Sequence, residues 1–340
     1  MISQTSHRER LQAIDPGFNA SVLDTVSEVA KRFCTLSKDK ALGALPATSV
    51  YDVPGTRQTV EILDIRPGEY DSTIVFHQPM SGVLTPDRIL RMAALAACLP
   101  NTRVITAGNP GDIGNPHGRL PFRSLPSVAR GGLGPTVAGT LRYVYSQGIE
   151  IADQAGASYG ADKAAAAAGL AHEYSLETKR LVSIDPASVT TKSLRQLLVD
   201  FRSTESALAS YIQGSGWPEY RKTRESEDGL LSYKLGLFRL SNIAASRCLS
   251  GGGFRSRLED FLYSAPDAHA SVIWAGESEL CDDASMQDLI AATNETFPNR
   301  VRGHRVPNQR HAFTNDPFIQ AALVLQGLRD ASASDEPKQP

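Results

Sequence analysis

The chain has 340 residues, 41% of them apolar and 21% charged, which suits one large α/β domain carrying an insertion or two modest domains. A net charge of −2 supplies neither the basic footprint that nucleic acid requires nor the polybasic patch that an anionic membrane attracts. The polar N-terminal segment lacks the apolar core of a signal peptide, and no stretch reaches the ~20 apolar residues of a membrane-spanning helix, so the expectation is a soluble, cytoplasmic protein with no membrane span.

In chain order, residues 16–37 carry Leu23, Val26, Val29, Ala30 and Phe33 at helical spacing, which predicts a helix packed on the outside of the main domain. "SVYDVP" and "TVEILDIRPG", separated by the turn signal "PGTRQ", predict a hairpin. "STIVFHQPM" runs Ile74-Val75-Phe76 without alternation, the pattern of a strand buried on both faces. "LTPDRILRMAALAACLP" predicts a helix with Thr85 at its N-cap, Pro86 at the first position and Asp87 at the positive end of the dipole.

"TRVITAGNPGD" then reads as a strand, "PTVAGTLRYVYSQG" as a helix, "IEIADQA" as a strand, "ADKAAAAAGLAHEYS" as a helix and "KRLVSIDPAS" as a strand. Strands alternating with helices imply right-handed crossovers and a mostly parallel, doubly wound sheet. Between 189 and 265 strand signals vanish and helical spacing takes over, broken by "GSGWP" and by "RKTRESED", a solvated charge run. The alternation resumes with "ASVIWAGESEL", "DASMQDLIAATN", "NRVRGHRVP" and "DPFIQAALVLQGLRD". The predicted organisation is an N-terminal helical extension over 1–45, an α/β core over 46–188 and 266–330, a helical cap over 189–265, and a disordered tail over 331–340. The four cysteines (Cys34, Cys98, Cys248 and Cys281) form no C-x-x-C pair or zinc spacing and read as buried thiols of a reducing compartment.

The chemistry concentrates at "GASYG". A G-x-S-x-G pattern carries weight only where a strand, a sharp turn and a helix follow one another, and "IEIADQA–GASYG–ADKAAAAA" supplies that order. Gly156 and Gly160 let backbone close in around Ser158, and the Tyr159 N–H at the start of the helix faces an oxyanion formed there. The plain alternative is an ordinary strand-to-helix turn that contains a hydroxyl.

With "IVFHQPM", "VSIDPAS", "WAGESEL" and "HAFTNDPF" following the right order around "GASYG", residues 50–330 resemble the α/β-hydrolase superfamily, in the branch with a helical cap after the sixth strand. The resemblance implies a serine nucleophile, a late acid and a final histidine, here Ser158 and His311, with His304 as the spare candidate for the base. "GESE" matches the family's G-x-x-D with glutamate, which makes Glu279 the first choice of acid, followed by Asp282 and Asp283, with Asp185 from the preceding strand as the alternative. Where the family has His-Gly after the third strand, this chain has His77-Gln78-Pro79. Proline donates no N–H, so the second oxyanion donor falls to the backbone of Gln78 or Met80, or to the Gln78 side chain.

"RGGLGPT" and "SGGGF" lack the Walker lysine and read as loops or hinges beside the site. Trp217, Tyr220, Tyr233 and Phe238 either line an apolar pocket under the cap or belong to plain core. The expectation is a serine hydrolase, esterase- or thioesterase-like, cleaving a small acyl substrate without cofactor or metal. Two alternatives stand beside it: a hydrolase-fold binding or scaffold protein without turnover, and haloperoxidase or lyase chemistry on the same triad. Assembly into a homo-oligomer is left open by the sequence.

Overall fold

The structure is a computed structural model that describes residues 6–37, 40, 43, 46–80, 84–109, 118, 120–226 and 240–332. Among these, eight strands form one sheet in the order β1-β2-β4-β3-β5-β6-β7-β8. Strands β1 (Ser49–Asp52) and β2 (Thr59–Ile65) make the expected hairpin, closed by the Val53 N–H on the Gln58 carbonyl. β2 runs antiparallel to β4 (Thr102–Ala107), whereas β3 (Ser72–His77), β4, β5 (Asp153–Ala157), β6 (Arg180–Ile184), β7 (His269–Ala275) and β8 (Val301–Val306) run parallel to one another. The parallel strands at the centre are buried on both faces, as the unbroken apolar run in β3 implies.

Helices cover both faces. On one lie α1 (His7–Ile14), α2 (Ala20–Cys34), α3 (Pro86–Cys98) and the last helix, α12 (Pro317–Ser332). The N-terminal segment is therefore two helices built into the main core: Leu11, Val22, Leu23 and Val26 pack with Leu323 and Val324. Asn19 caps α2 by accepting the Ser21 N–H, and Ser6 and Glu9 form a reciprocal capping box on α1. α12 continues to Ser332, two residues into the expected tail.

On the other face, α4 (Leu125–Ala129) and α5 (Gly134–Ser146) precede α6 (Tyr159–Leu170), which lies against β5, β6 and β3. Its alanines other than the half-buried Ala166 are buried, since only a thin helix fits between the sheet and its neighbours.

The predicted helical block contains α7 (Leu194–Gly214), α8 (Pro218–Ser226), α9 (Leu240–Ser250) and α10 (Phe254–Ser264). α7 and α9 lie over the carboxyl ends of the strands, where α7 meets the turn at His311–Asn315, while α8 packs against α3. α10 differs: Leu258 and Phe261 pack on Ala164, Ala165 and Ala168 of α6, so it completes the second helical layer. Trp217 and Tyr220 are plain core. Trp217 stacks on Phe318, and the Tyr220 hydroxyl donates to the Asn315 carbonyl at 2.6 Å. Tyr233 and Phe238 lie outside the described residues. α11 (Asp283–Thr296) fills the β7–β8 crossover, capped by Asp282. Cys98, Cys248 and Cys281 are buried and Cys34 is half-buried, all as free thiols.

Candidate active site

β5 delivers Ser158 to the sheet's carboxyl edge. The serine adopts φ 57° and ψ −130°, a backbone conformation that side chains rarely occupy and that costs on the order of 1–3 kcal/mol. The surroundings over-determine it. The Ser158 N–H donates to the Ile184 carbonyl at 2.9 Å and its own carbonyl accepts from the Ala161 N–H at 2.8 Å. A Cβ on Gly156 would collide with the Gly160 carbonyl, and one on Gly160 would collide with the backbone of His77 and Gln78. Both glycines of "GASYG" are thus steric requirements: β5, the first turn of α6 and the end of β3 approach more closely than any side chain permits.

The same close approach brings the loop after β3 beside Ser158. His77 is level with Gly156 in the sheet. Its Nε2 lies 2.8 Å from the Gln154 side-chain oxygen, and burial, followed by the charge of Lys163, outweighs that bond and lowers its pKa to about 3. His77 is therefore a neutral structural donor at neutral pH. The Gln78 amide donates one hydrogen bond to the Thr106 hydroxyl at 2.9 Å, which ties the Gln78 side chain to β4. Asn109 donates to the Pro79 carbonyl at 2.7 Å and pins the loop. The backbone N–H groups of Gln78 and Met80 remain candidates on this side. The Tyr159 N–H, on the other, stands in the first turn of α6, directly after Ser158.

The carboxylate at the His311 ring is Asp185, the alternative from the preceding strand, and not Glu279, the first choice from the sequence. The imidazole Nδ1 of His311 meets Asp185 Oδ2 at 2.5 Å, and Glu279 does not contact the ring. Asp185 follows β6 directly, in a left-handed conformation (φ 46°). β6 lies between β5 and β7, so an acid at its end stands beside the serine's strand, while Glu279 lies further along the loop that follows β7. Asp185 also accepts from the Ser278 hydroxyl at 2.7 Å, the Ala275 N–H at 3.0 Å and the Cys281 thiol at 3.4 Å. The Glu279 carboxylate instead pairs with Arg310 and accepts the His311 backbone N–H at 3.2 Å.

Asp282 caps α11 through Ser285, and those hydrogen bonds lower its pKa. Asp283 accepts from the Trp274 indole at 2.7 Å and pairs with Arg305, with its pKa lowered accordingly. Neither touches the imidazole. His304, the spare base, faces the other way: its Nε2 contacts Asp15 at 2.5 Å, tying β8 to the N-terminal helices.

Ser158 follows β5, Asp185 follows the adjacent strand β6, and His311, in the turn before α12, reaches Asp185. Ser158, Asp185 and His311 are all buried. An imidazole held by a carboxylate at Nδ1 presents Nε2 on its opposite side. Among the described residues no hydrogen bond joins the Ser158 hydroxyl to that ring, and the hydroxyl makes no cap bond to its own helix.

A second buried pair braces this edge. Asp162 of α6 accepts from the Ala187 N–H at 3.2 Å, from the Ser188 hydroxyl, and from Arg257 of α10 at 2.7 Å. Arg257 reaches on to the Gly131 carbonyl, at 3.2 Å, and so ties the first turn of α10, just after "SGGGF", to the "RGGLGPT" loop. Burial raises the Asp162 pKa against the opposing pull of Arg257. The sequence carried no signal for this pair.

A small cavity of about 20 Å³ adjoins Tyr159, lined by Leu120, Val128, Ala245 and Lys163 among others. A far larger groove, about 750 Å³, opens at the opposite, amino ends of the strands, between Ser72, Thr102, Asp153 and Arg180. Size alone would misplace the site, because none of Ser158, Asp185 and His311 lines that groove. No group of three or more metal-ligating side chains occurs, and no helix is long and apolar enough to cross a membrane, among the described residues.

No protein-family model matches the chain, and no curated protein matches it. Solved structures do resemble it. A carboxylesterase of the thaumarchaeon Nitrososphaera gargenis is 14% identical over 85% of this chain and 100% of its own, with a TM-score of 0.54. A carboxylesterase from Bacillus subtilis is 14% identical over 88% and 98%, with a TM-score of 0.52. A bromoperoxidase from Bacillus anthracis is 11% identical over 82% and 99%, also at 0.52. What these share with the chain is the α/β-hydrolase fold.

Proposed function

We propose that this chain, whose fold is that of the α/β hydrolases, is a serine hydrolase that cleaves a small acyl substrate through an acyl-enzyme. The observation that carries the reading is the 2.5 Å contact between His311 Nδ1 and Asp185, at a strand end next to a serine held in a strained elbow. A serine hydroxyl is a weak nucleophile near neutral pH and needs a base. His311 Nε2 takes the Ser158 proton as Oγ attacks the carbonyl carbon, and the buried Asp185 carboxylate stabilises the imidazolium. The Tyr159 N–H, with that of Gln78 or Met80, holds the oxyanion. His311 then returns the proton to the leaving group, and water, activated by the same ring, releases the acid. α7 and α9 act as the cap that limits solvent over this edge.

A binding protein without turnover is the second reading, favoured by the unmade bond between Ser158 and His311. Such bonds are often long before substrate arrives. Reaction with a fluorophosphonate, followed by identification of the modified residue, separates the two. The hydrolase reading expects labelling at Ser158 and hydrolysis of p-nitrophenyl esters that falls roughly 10⁴-fold in Ser158→Ala with folding intact. Equal rates in the native chain and Ser158→Ala would leave the binding reading.

A further inference from the structure

Glu279 was the sequence's choice of acid and the structure gives it other partners. One carboxylate oxygen accepts the backbone N–H of His311 at 3.2 Å, and the other pairs with Arg310. Arg310 continues outward: its guanidinium donates to the Ser203 carbonyl at 3.0 Å and to the Ser203 hydroxyl at 2.7 Å, both on cap helix α7. About two turns further along α7, the half-buried Tyr211 adds a second tie, receiving the Arg310 N–H at 3.2 Å and donating to the Gln309 side chain at 3.0 Å. The loop carrying Glu279 is bound to the cap as well. Lys192, at the cap's entrance, donates to the Glu279 carbonyl at 2.8 Å and pairs with Asp200 of α7 at 2.7 Å.

His311 therefore hangs between two anchors. Asp185 fixes its ring from the sheet, and Glu279 with Arg310 fixes its backbone to the cap. We propose that Glu279 and Arg310 are positioning residues, a strap through which the placement of cap helix α7 sets the alignment of His311 with Ser158. The proposal rests on the reading of His311 as the base. Its physical basis is that proton transfer depends steeply on geometry: a displacement of about 1 Å can cost 10²-fold in rate. An Arg fork fixed on two oxygens of one helix residue holds geometry better than a single point charge would.

The strap makes an ordered set of expectations. Glu279→Ala and Arg310→Met each slow fluorophosphonate labelling of Ser158 by about tenfold and lower kcat rather than raising KM, because alignment and not substrate affinity is lost. The double variant is no slower than either single one, since the two residues act as a unit. Glu279→Gln keeps the volume and an acceptor for the His311 N–H while removing the charge that faces Arg310, and loses about threefold in the same direction.

A signature independent of turnover is the far-downfield proton resonance of His311 Nδ1–H, identified by its disappearance in Asp185→Asn. It broadens in Glu279→Ala and Arg310→Met and stays sharp in the native chain. Labelling and resonance both unchanged in these variants, or additive losses in the double variant, would overturn the strap. If the native chain takes no fluorophosphonate, the hydrolase reading fails instead, and the resonance alone judges whether the strap holds the ring.

Discussion

The chain contains two histidine–carboxylate pairs of the same length, His311 with Asp185 and His304 with Asp15, each at 2.5 Å. Both histidines sit near the last parallel strand, and both acids are buried. What differs is the company. Asp185 ends the strand beside the serine's strand, in a backbone whose N–H continues the sheet ladder onto Ile273 at 2.7 Å. Asp15 ends α1, and its pair joins an edge strand to an N-terminal helix, with Phe18 stacked on the imidazole. A histidine–carboxylate contact is thus no site by itself; the neighbouring strand decides whether there is a hydroxyl to activate.

The sharpest way to break this contrast is to remove each ring in turn. His311→Ala is expected to lower ester turnover by roughly 10⁴-fold, measured with an activated ester, while His304→Ala changes turnover per folded molecule by no more than about threefold. Removing the acids comes next. Asp185→Asn should cost on the order of 10³- to 10⁴-fold in kcat, because an amide no longer holds the ring in the tautomer that leaves Nε2 basic. A larger loss from Glu279→Gln than from Asp185→Asn would reverse the assignment of the acid.

Arg257→Met tests the brace rather than either ring. It leaves Asp162 buried without its cation and should cost about 3–5 kcal/mol in urea unfolding. Asp15→Asn is the milder structural change, at about 1.5–3 kcal/mol for a hydrogen bond to a charged group. The smallest effect is the pH dependence of the structural pair. Burial works against the charged His304, yet the hydrogen bond and charge of Asp15, with Asp330, prevail and raise its pKa above 6.5. A raised folded pKa means stability that is fully present below 6.5 and is lost as pH rises through the folded value. Thermal unfolding followed from pH 5 to 9 should show that loss in the native chain and lack it in His304→Gln.

The elbow was legible in the sequence because its causes are local. Gly156, Ser158 and Gly160 answer to one turn, and the strand before it and alanine-rich helix after it follow from periodicity. The alternation of strands and helices likewise foretold a parallel sheet, and the register of β3 through β8 has that form. The acid was not legible. "GESEL" and "SIDPAS" both end strands with a carboxylate nearby, and nothing in either string says which end faces the imidazole. The N-terminal helices read as an appendage because the amphipathic face of α2 shows that it packs, but not against which partner.

The sequence by itself determined the elements and the elbow, since steric freedom, caps and hydrophobic period act within a few residues of chain. Tertiary structure alone decided which carboxylate holds which histidine, because that depends on strand order: β6 lies between β5 and β7, and so Asp185 stands beside Ser158. It also decided that Glu279 faces Arg310, which reaches on to α7, a contact between segments whose meeting no local pattern encodes.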